Sequence, residues 1–443
     1  MKKLRIAFIG IVGLFFFSIL LASSVRNIYM AGDNGKSRLG FLAQPIKFMA
    51  ETPSIIKTIL SAPEFIVTNS EAKGGLDYSN GVDTKSYPKL LVSYKQKEFG
   101  QEFELLDLKN GKSIKKWSPD NASLYEQAFN EDNPRKPSKG SDLYFMHPLM
   151  SSDSSLMFTS QLTSLLAKID KKGELLWLKN DKTYHHTLES NNNGKIYTCT
   201  RPFISGKYDF LPGEYDEYKH TLLDDTISII EENTGDEIFS KSVIEILVEN
   251  GYKKLLLYKG QIISDQIHLN DIQPALTDSE FWKKDDLLIS CRNLSAVFLY
   301  RPSTNKILWL QHGPWTNQHD ADFYENDKIV VFGNDVIREE SIVDERLTHS
   351  NLSFTKEKQH NEIYVYNFVN DSTSTPYSRL MSKEKITTYT SGRCDILENG
   401  DVIIEETNNG RIIIGDSINK KVEYVKRLDE GHISSLFWSR IIN

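Results

Sequence analysis

The sequence predicts an all-β protein, a six-bladed β-propeller preceded by an N-terminal membrane-spanning helix and a short helical arm. Three observations lead there. From about residue 85 a β-rich run, a turn of Gly, Asn and Asp, and a second strand that often carries Trp or Tyr recur six times, at intervals of roughly 50 to 70 residues. Aromatics make up 11% of the chain, with 20 Tyr and 22 Phe, the residue types that fit pleated, packed surfaces. At 443 residues the chain exceeds one ordinary domain, which a repeat architecture accommodates without a second core.

The N-terminus comes first. Lys2, Lys3 and Arg5 precede an apolar run from Ile6 to Val25, the length a bilayer-spanning helix needs. Positive charge ahead of the run predicts a cytoplasmic N-terminus, so the expectation is a single-pass cell-membrane protein whose C-terminal domain is periplasmic or extracellular. Ala22 and Ser24 supply the small residues of the competing reading, a cleaved signal peptide over residues 1–26. Residues 27–84 read as a linker with short amphipathic helices. Gln44-Pro45 and Thr52-Pro53 each place Pro in a first helical turn, and Ile46, Met49, Ile55, Ile56, Ile59 and Leu60 form an apolar side.

The propeller is expected over 85–443. Its outer hairpins are Leu105 to Trp117, Lys168 to Trp177, Ser228 to Phe239, Leu299 to Trp309, Tyr364 to Tyr377 and Ile413 to Tyr424. Inner strands recur as Ser155 to Phe158, Gly194 to Tyr197, Asp286 to Ile289, Lys328 to Val331 and Asp401 to Ile404. Just upstream of these lie His147, His186, His268, His319 and Arg393, four of them about seven residues before the turn. Innermost propeller strands line the central channel, so residues at one repeat phase converge there. Glu339 to Gln359, with His349, reads as an insertion, and the alternation Ile433, Leu436-Phe437-Trp438, Ile441-Ile442 as a strand that closes the ring.

Charge narrows the function. Lys+Arg 53 against Asp+Glu 60 gives −7, with a pI near 5.9, so no nucleic-acid partner is expected. Cys199, Cys291 and Cys394 are too few and too scattered for a disulfide framework or a thiolate zinc site.

Four segments carry the chemistry: Tyr184-His185-His186-Thr187, Gln266-Ile267-His268-Leu269-Asn270, Ser290-Cys291-Arg292-Asn293-Leu294-Ser295, and Asn317-Gln318-His319-Asp320-Ala321. Together and in this order they resemble the arylsulfotransferase family, whose members are six-bladed propellers that move a sulfuryl group between phenols. The resemblance extends in motif detail over residues 140 to 340. It implies that His319 is the transiently sulfated nucleophile, that His268 assists at the leaving oxygen, and that Arg292 stabilises sulfate charge. It also implies binding roles for Asn270 and for one imidazole of the His pair, assigned to His186 because its distance to the Gly194 turn matches the other channel residues. His185, His147 and Arg393 complete the expected site. Family members often carry an acidic residue after the His pair, where this chain has Thr187.

Physical chemistry supports the same roles. Sulfuryl transfer, like phosphoryl transfer, passes through a loose transition state that needs positioned charge and donors. Arg292 offers a rigid fork, and a neutral imidazole is a competent nucleophile near neutral pH. The implied partners are a small-molecule aryl sulfate donor and a phenolic acceptor. No cofactor is expected, and no Gly-rich loop for a nucleotide sulfate donor is present. A zinc site built from His186, His268 and His319 is set aside because Arg292 would repel a cation, so no metal is expected. Trp282, Trp309 and Trp315 read as blade-core aromatics rather than a stacking platform. The alternative function is a non-catalytic propeller that binds a ligand or organises an assembly, for which the His319, His268, Asn270 and Arg292 set has no use. A quinone-dependent dehydrogenase would want a calcium-binding carboxylate cluster around its cofactor, which the sequence does not display.

Overall fold

The computed structural model describes residues 2–31, 45–46, 65–335 and 360–442, apart from 70, 72, 96–99, 139, 141–142, 162, 204–207, 209–221, 258–259 and 261–262. The chain divides into two units, Met1–Pro63 with Lys207–Thr221, and Glu64–Gly206 with Leu222–Asn443. In the first, helix α1 spans Lys2–Ala31, and Leu14, Phe15, Phe16, Phe17, Ile19 and Leu20 on it are exposed. Among the described residues no helix is long and apolar enough to cross a membrane. The short helices expected around Gln44-Pro45 and Thr52-Pro53 lie outside the described residues, except for Pro45 and Ile46, which are helical.

The second unit is built from antiparallel sheets. Sheet A comprises Lys89–Lys95, Gln101–Asp107 and Lys112–Trp117, with Arg440–Ile442 on its inner edge. Sheet B runs through Phe145–Met150, Leu156–Ser160, Leu166–Ile169 and Leu175–Lys179, and sheet C through Thr183–Ser190, Lys195–Arg201, Thr226–Glu231 and Glu237–Ser242. Sheet D holds Leu269–Pro274, Leu287–Cys291, Ala296–Arg301 and Lys306–His312, and sheet E holds Asp320–Tyr324, Lys328–Gly333, Glu362–Asn367 and Ser372–Ser374. Sheet F contains Arg393–Ile396, Val402–Glu406, Arg411–Gly415 and Lys420–Val425, extended by Gly75–Tyr78.

Burial explains the sequence pattern. Second strands such as Leu287–Cys291 are buried at every position, because both faces pack against neighbouring sheets. Outermost strands such as Glu237–Ser242 are largely exposed, and their sequence is correspondingly mixed. The connecting turns follow from Asp and Gly. At Asp170 the carboxylate accepts the N–H of Lys172 and of Glu174, and Gly173 takes φ +95°, which L side chains rarely adopt.

The sheets pack in a closed circuit. Phe103 and Leu105 of A meet Phe145 and Phe158 of B, and Leu149 and Leu166 of B meet Tyr184 and Leu188 of C. The first strands of C and D are in contact. Leu288 and Val297 of D meet Ile329 and Val331 of E, Phe332 and Ile363 of E meet Ile404 and Ile413 of F, and Ile412 and Val422 of F return to Leu90 and Val92 of A. Carboxylates staple successive members. Asp225 accepts the Leu269 N–H, Asp271 the Ala321 N–H, and Asp320 the Cys394 N–H, each at 2.8–2.9 Å.

Among the described residues two short strands lie upstream of residue 85, within the segment expected to be linker. Gly75–Tyr78 pairs with Val422–Val425, and Ile66–Thr68 pairs with His432–Ser434 in a separate three-stranded sheet that includes Arg427–Asp429. Their brevity and polar content give no periodic signal. The C-terminal alternation is split for a related reason. Trp438 adopts φ +72°, and its N–H, with that of Ser439, is captured by the Glu405 carboxylate. The chain therefore turns between Ile433, which pairs with Val67, and Arg440–Ile442, which pairs with Lys89–Leu91. The insertion Glu339 to Gln359 lies outside the described residues; on either side of it Gly333 and Glu362 are direct strand partners.

Candidate active site: a cluster of imidazoles

Backbone conformation delivers the histidines. His147, His186 and His268 each sit at φ between 51° and 54°, a left-handed conformation that non-glycine residues adopt at a cost of about 1–3 kcal/mol. Strand register shifts next to each, between Met146 and Leu149, His185 and Leu188, and Leu269 and Asp271. A bulge of this kind re-aims a side chain that regular pleating would point elsewhere. Three sheets thus repeat one device, and ahead of a fourth the positive φ, 53°, falls on Asn317, two residues before His319.

The rings converge. The His186 centroid lies 5.1 Å from that of His268, 6.2 Å from His319 and 6.2 Å from His147. His319 is buried, and its Nδ1 lies 2.6 Å from Asn334 Oδ1. The tautomer follows from the far side of Asn334, whose Nδ2 donates to the carbonyls of Thr388 and Ser391. That leaves Oδ1 as the acceptor, so His319 carries its proton on Nδ1 and a lone pair on Nε2. His268 is held likewise by Asp265, whose Oδ2 lies 2.6 Å from Nδ1. His186 Nδ1 faces His185 Nδ1 at 2.7 Å, and His185 Nε2 lies 3.3 Å from Asp225 Oδ1, without hydrogen-bond alignment. A carboxylate repels a lone pair, so His185 keeps its proton on Nε2, and His186 donates from Nδ1.

Arg292 opens a short turn at the end of sheet D's second strand, where its backbone N–H donates to the His268 carbonyl at 3.0 Å and its Nη1 to Asn293 Oδ1 at 2.8 Å. Burial first, and then the Arg292 charge, push the His319 imidazole well below its ordinary range, so it is neutral. Burial, followed by the neighbouring imidazoles, does the same at His186. For Asp265 burial acts upward, but the hydrogen bond to His268 and the charges of His268 and Arg201 outweigh it and hold the carboxyl low.

The remaining expected residues fall into different positions. His147 belongs to the cluster, packed 4.4 Å from the Trp438 ring. Asn270 is fully buried and donates from Nδ2 to the Gln318 carbonyl at 2.6 Å, so it anchors the backbone just before His319. His185 orients His186. Arg393 is buried, pairs with Asp395 at 2.9 Å, donates to the Ser439 carbonyl and lies over the Trp438 ring, which makes it a tie to the C-terminal segment. Trp315 and Trp282 are core side chains, and Trp309 packs on Tyr366 and Phe368. Cys199, Cys291 and Cys394 are free and buried.

Sequence reasoning passed over Asn334, Asp265 and Asp225, and read Trp438 only as part of the closing strand. Asp265 had a signal, its spacing of three residues from His268 within one loop. Asn334 follows a strand with no distinguishing mark, and Trp438 is an aromatic among many.

Among the described residues two groups have the proximity to hold a metal ion: one ring nitrogen each of His186, His268 and His319, and the carboxylates of Asp271, Asp320 and Asp322. In the second group Asp271 and Asp320 already serve as staples between sheets.

A family model described as Arylsulfotransferase (ASST) matches residues 147–427 of this chain. No curated protein matches. Among solved structures, a protein of unknown function from Bacteroides caccae aligns at 11% identity and TM-score 0.44, over 79% of this chain and 98% of that one. The Myceliophteria thermophila Cps50 (Swd1) β-propeller domain aligns at 10% identity and TM-score 0.39, over 82% and 99%.

Proposed function

Because this chain belongs to the arylsulfotransferase family, its reaction class is sulfuryl transfer involving small aryl substrates, and we propose that the transfer runs in two steps through a sulfohistidine on His319. The observation that carries this reading is the Asn334 contact, which leaves a neutral His319 with its lone pair on Nε2 beside Arg292 and His268.

In the first step Nε2 forms a bond to sulfur while the bond from sulfur to the aryl oxygen breaks. The positive charge that develops on the ring is met at Nδ1–H by Asn334 Oδ1. Arg292 offsets charge on the sulfuryl oxygens, and a protonated His268 hands its proton to the departing phenolate. In the second step an acceptor phenol returns a proton to His268, its oxygen bonds to sulfur, and the nitrogen–sulfur bond breaks. His319 recovers its lone pair, and no nucleotide sulfate donor enters. The direct test is incubation with a chromogenic aryl sulfate and a second phenol. Transfer with ping-pong kinetics supports the reading, and hydrolysis alone or sequential kinetics contradicts it.

Two further outcomes are expected. Replacing His268 by Gln should slow donors with basic phenolate leaving groups roughly 10²–10⁴-fold, the usual worth of general acid catalysis, and nitrophenyl sulfates far less. A flat dependence on leaving-group pKa between the variant and the parent would oppose the role. The second concerns pH. A lowered imidazole pKa moves loss of the Nε2 lone pair to more acidic pH, so adduct formation from an activated nitrophenyl sulfate should stay level as pH falls through 6.5, the ordinary histidine value. Stopped-flow burst rates check this, and an acid limb centred at 6.5 would count against a neutral, buried His319.

The circuit of sheets supports a six-bladed propeller with the imidazoles gathered at its axial channel. In the sequence, Lys2, Lys3 and Arg5 ahead of the apolar run Ile6–Val25 are what supports an N-terminal membrane anchor with the following domain outside the cytoplasm.

A further inference from the structure

We propose that the imidazole cluster is also an inhibitory trap for a divalent transition metal: His186, His268 and His319 coordinate one borderline-soft ion such as Zn²⁺ or Co²⁺ through Nε2 and thereby silence the nucleophile. The inhibitory part rests on His319 being the nucleophile; the binding part does not.

The geometry meets the requirements of a three-histidine site one by one. One ring nitrogen from each residue lies within 4.8 Å of the other two. For any three such atoms some point lies within about 2.8 Å of all of them, so ring shifts on the order of 1 Å reach the usual zinc to nitrogen bond of ~2.0–2.1 Å. Each ring is already oriented from behind. Nδ1 of His319 is held by Asn334, that of His268 by Asp265, and that of His186 by His185, which Asp225 backs in turn. A metal-bound histidine needs this arrangement, with Nδ1–H on an outer partner and a bare Nε2 toward the ion. His186 and His268 are half-buried, so an ion has a route in, and three ligands leave a fourth position for water.

Arg292 is the opposing charge, and the consequence is specific. Its repulsion selects against hard cations held by charge alone, such as Mg²⁺ and Ca²⁺, whereas a transition ion gains directional bonds to neutral nitrogen. Metal binding and sulfation would compete for the same lone pair, so the ion acts as a competitive, reversible inhibitor of the donor half-reaction and not as a cofactor.

The probe is Co²⁺, titrated into the full chain stripped with a chelator. One equivalent should produce the visible d–d absorption of a four-coordinate cobalt site, displaced by Zn²⁺, with no response to Mg²⁺. Sulfotransfer should fall with the same midpoint and return on adding EDTA. Asp265→Asn keeps all three ligands but weakens the outer contact, and should lower Co²⁺ affinity roughly 10–100-fold. His186→Gln should abolish the four-coordinate spectrum, with thermal unfolding confirming that the variant is folded. Absence of the 1:1 spectrum, its survival in folded His186→Gln protein, or stimulation of turnover by Co²⁺ would each overturn the proposal. If the metal-free protein transfers no sulfuryl group yet shows the cobalt spectrum, the site stands and the sulfohistidine reading fails instead.

Discussion

Replacing His319 by Asn should abolish the covalent intermediate and lower sulfotransfer by roughly 10⁴–10⁶-fold, the scale on which removing an enzymatic nucleophile acts. The parent protein, given donor alone, should release one equivalent of phenol in a burst and gain the mass of a sulfuryl group. In the variant both should vanish together, because only the nitrogen that attacks has been removed. Asn is a close choice: it is polar, of similar reach, and able to meet Asn334 Oδ1 with its own amide, so the surrounding hydrogen bonds to Thr388 and Ser391 persist. Intact-protein mass spectrometry after exposure to donor reads the outcome. A folded variant that still gains a stable sulfuryl mass and turns over normally would remove His319 from the mechanism.

Deleting residues 432–443 should destroy the fold of the whole sheet unit in a single cooperative step. This segment touches several of its sheets at once. Arg440–Ile442 supplies the inner edge of sheet A, and the Arg440 guanidinium pairs with Glu189 of sheet C at 2.7 Å while donating to the Pro148 carbonyl of sheet B. The Phe437 carbonyl accepts the His147 N–H, the Phe437 N–H donates to Ser93, and Glu405 of sheet F holds the N–H groups of Trp438 and Ser439. Leu436, Phe437 and Trp438 are buried. Loss of large core side chains costs about 2–5 kcal/mol each, against a total stability of about 5–15 kcal/mol, so three of them with the Arg440 ties exceed what the fold can lose. Circular dichroism melts and solubility after truncation decide this. A soluble protein with an unchanged melting curve would show that closure lies elsewhere.

The two predictions draw on different layers of information. The sequence by itself determined the repeat, because each outer hairpin carries its own turn chemistry, as at Asp170 and Gly173, and this is local. It determined much of the phase of the site as well: His147, His186 and His319 stand at matching distances from their turns, while His268 precedes an insertion and was placed by its motif. Motif order further pointed to the family. Tertiary structure alone decided what each ring can do. The proton on His319 is placed by Asn334, fifteen residues away, and the orientation of His186 by Asp225 acting through His185 across two strands. Such contacts have no periodicity and no fixed spacing. The same reason hid the contacts of Asn270, whose amide reaches the Gln318 carbonyl just ahead of the next sheet, and those of Arg393, whose partners include Ser439 at the far end of the chain. Residues repeated along a chain declare themselves by spacing, whereas the hydrogen bond that sets a tautomer depends on which sheets lie side by side, and only the folded circuit supplies that.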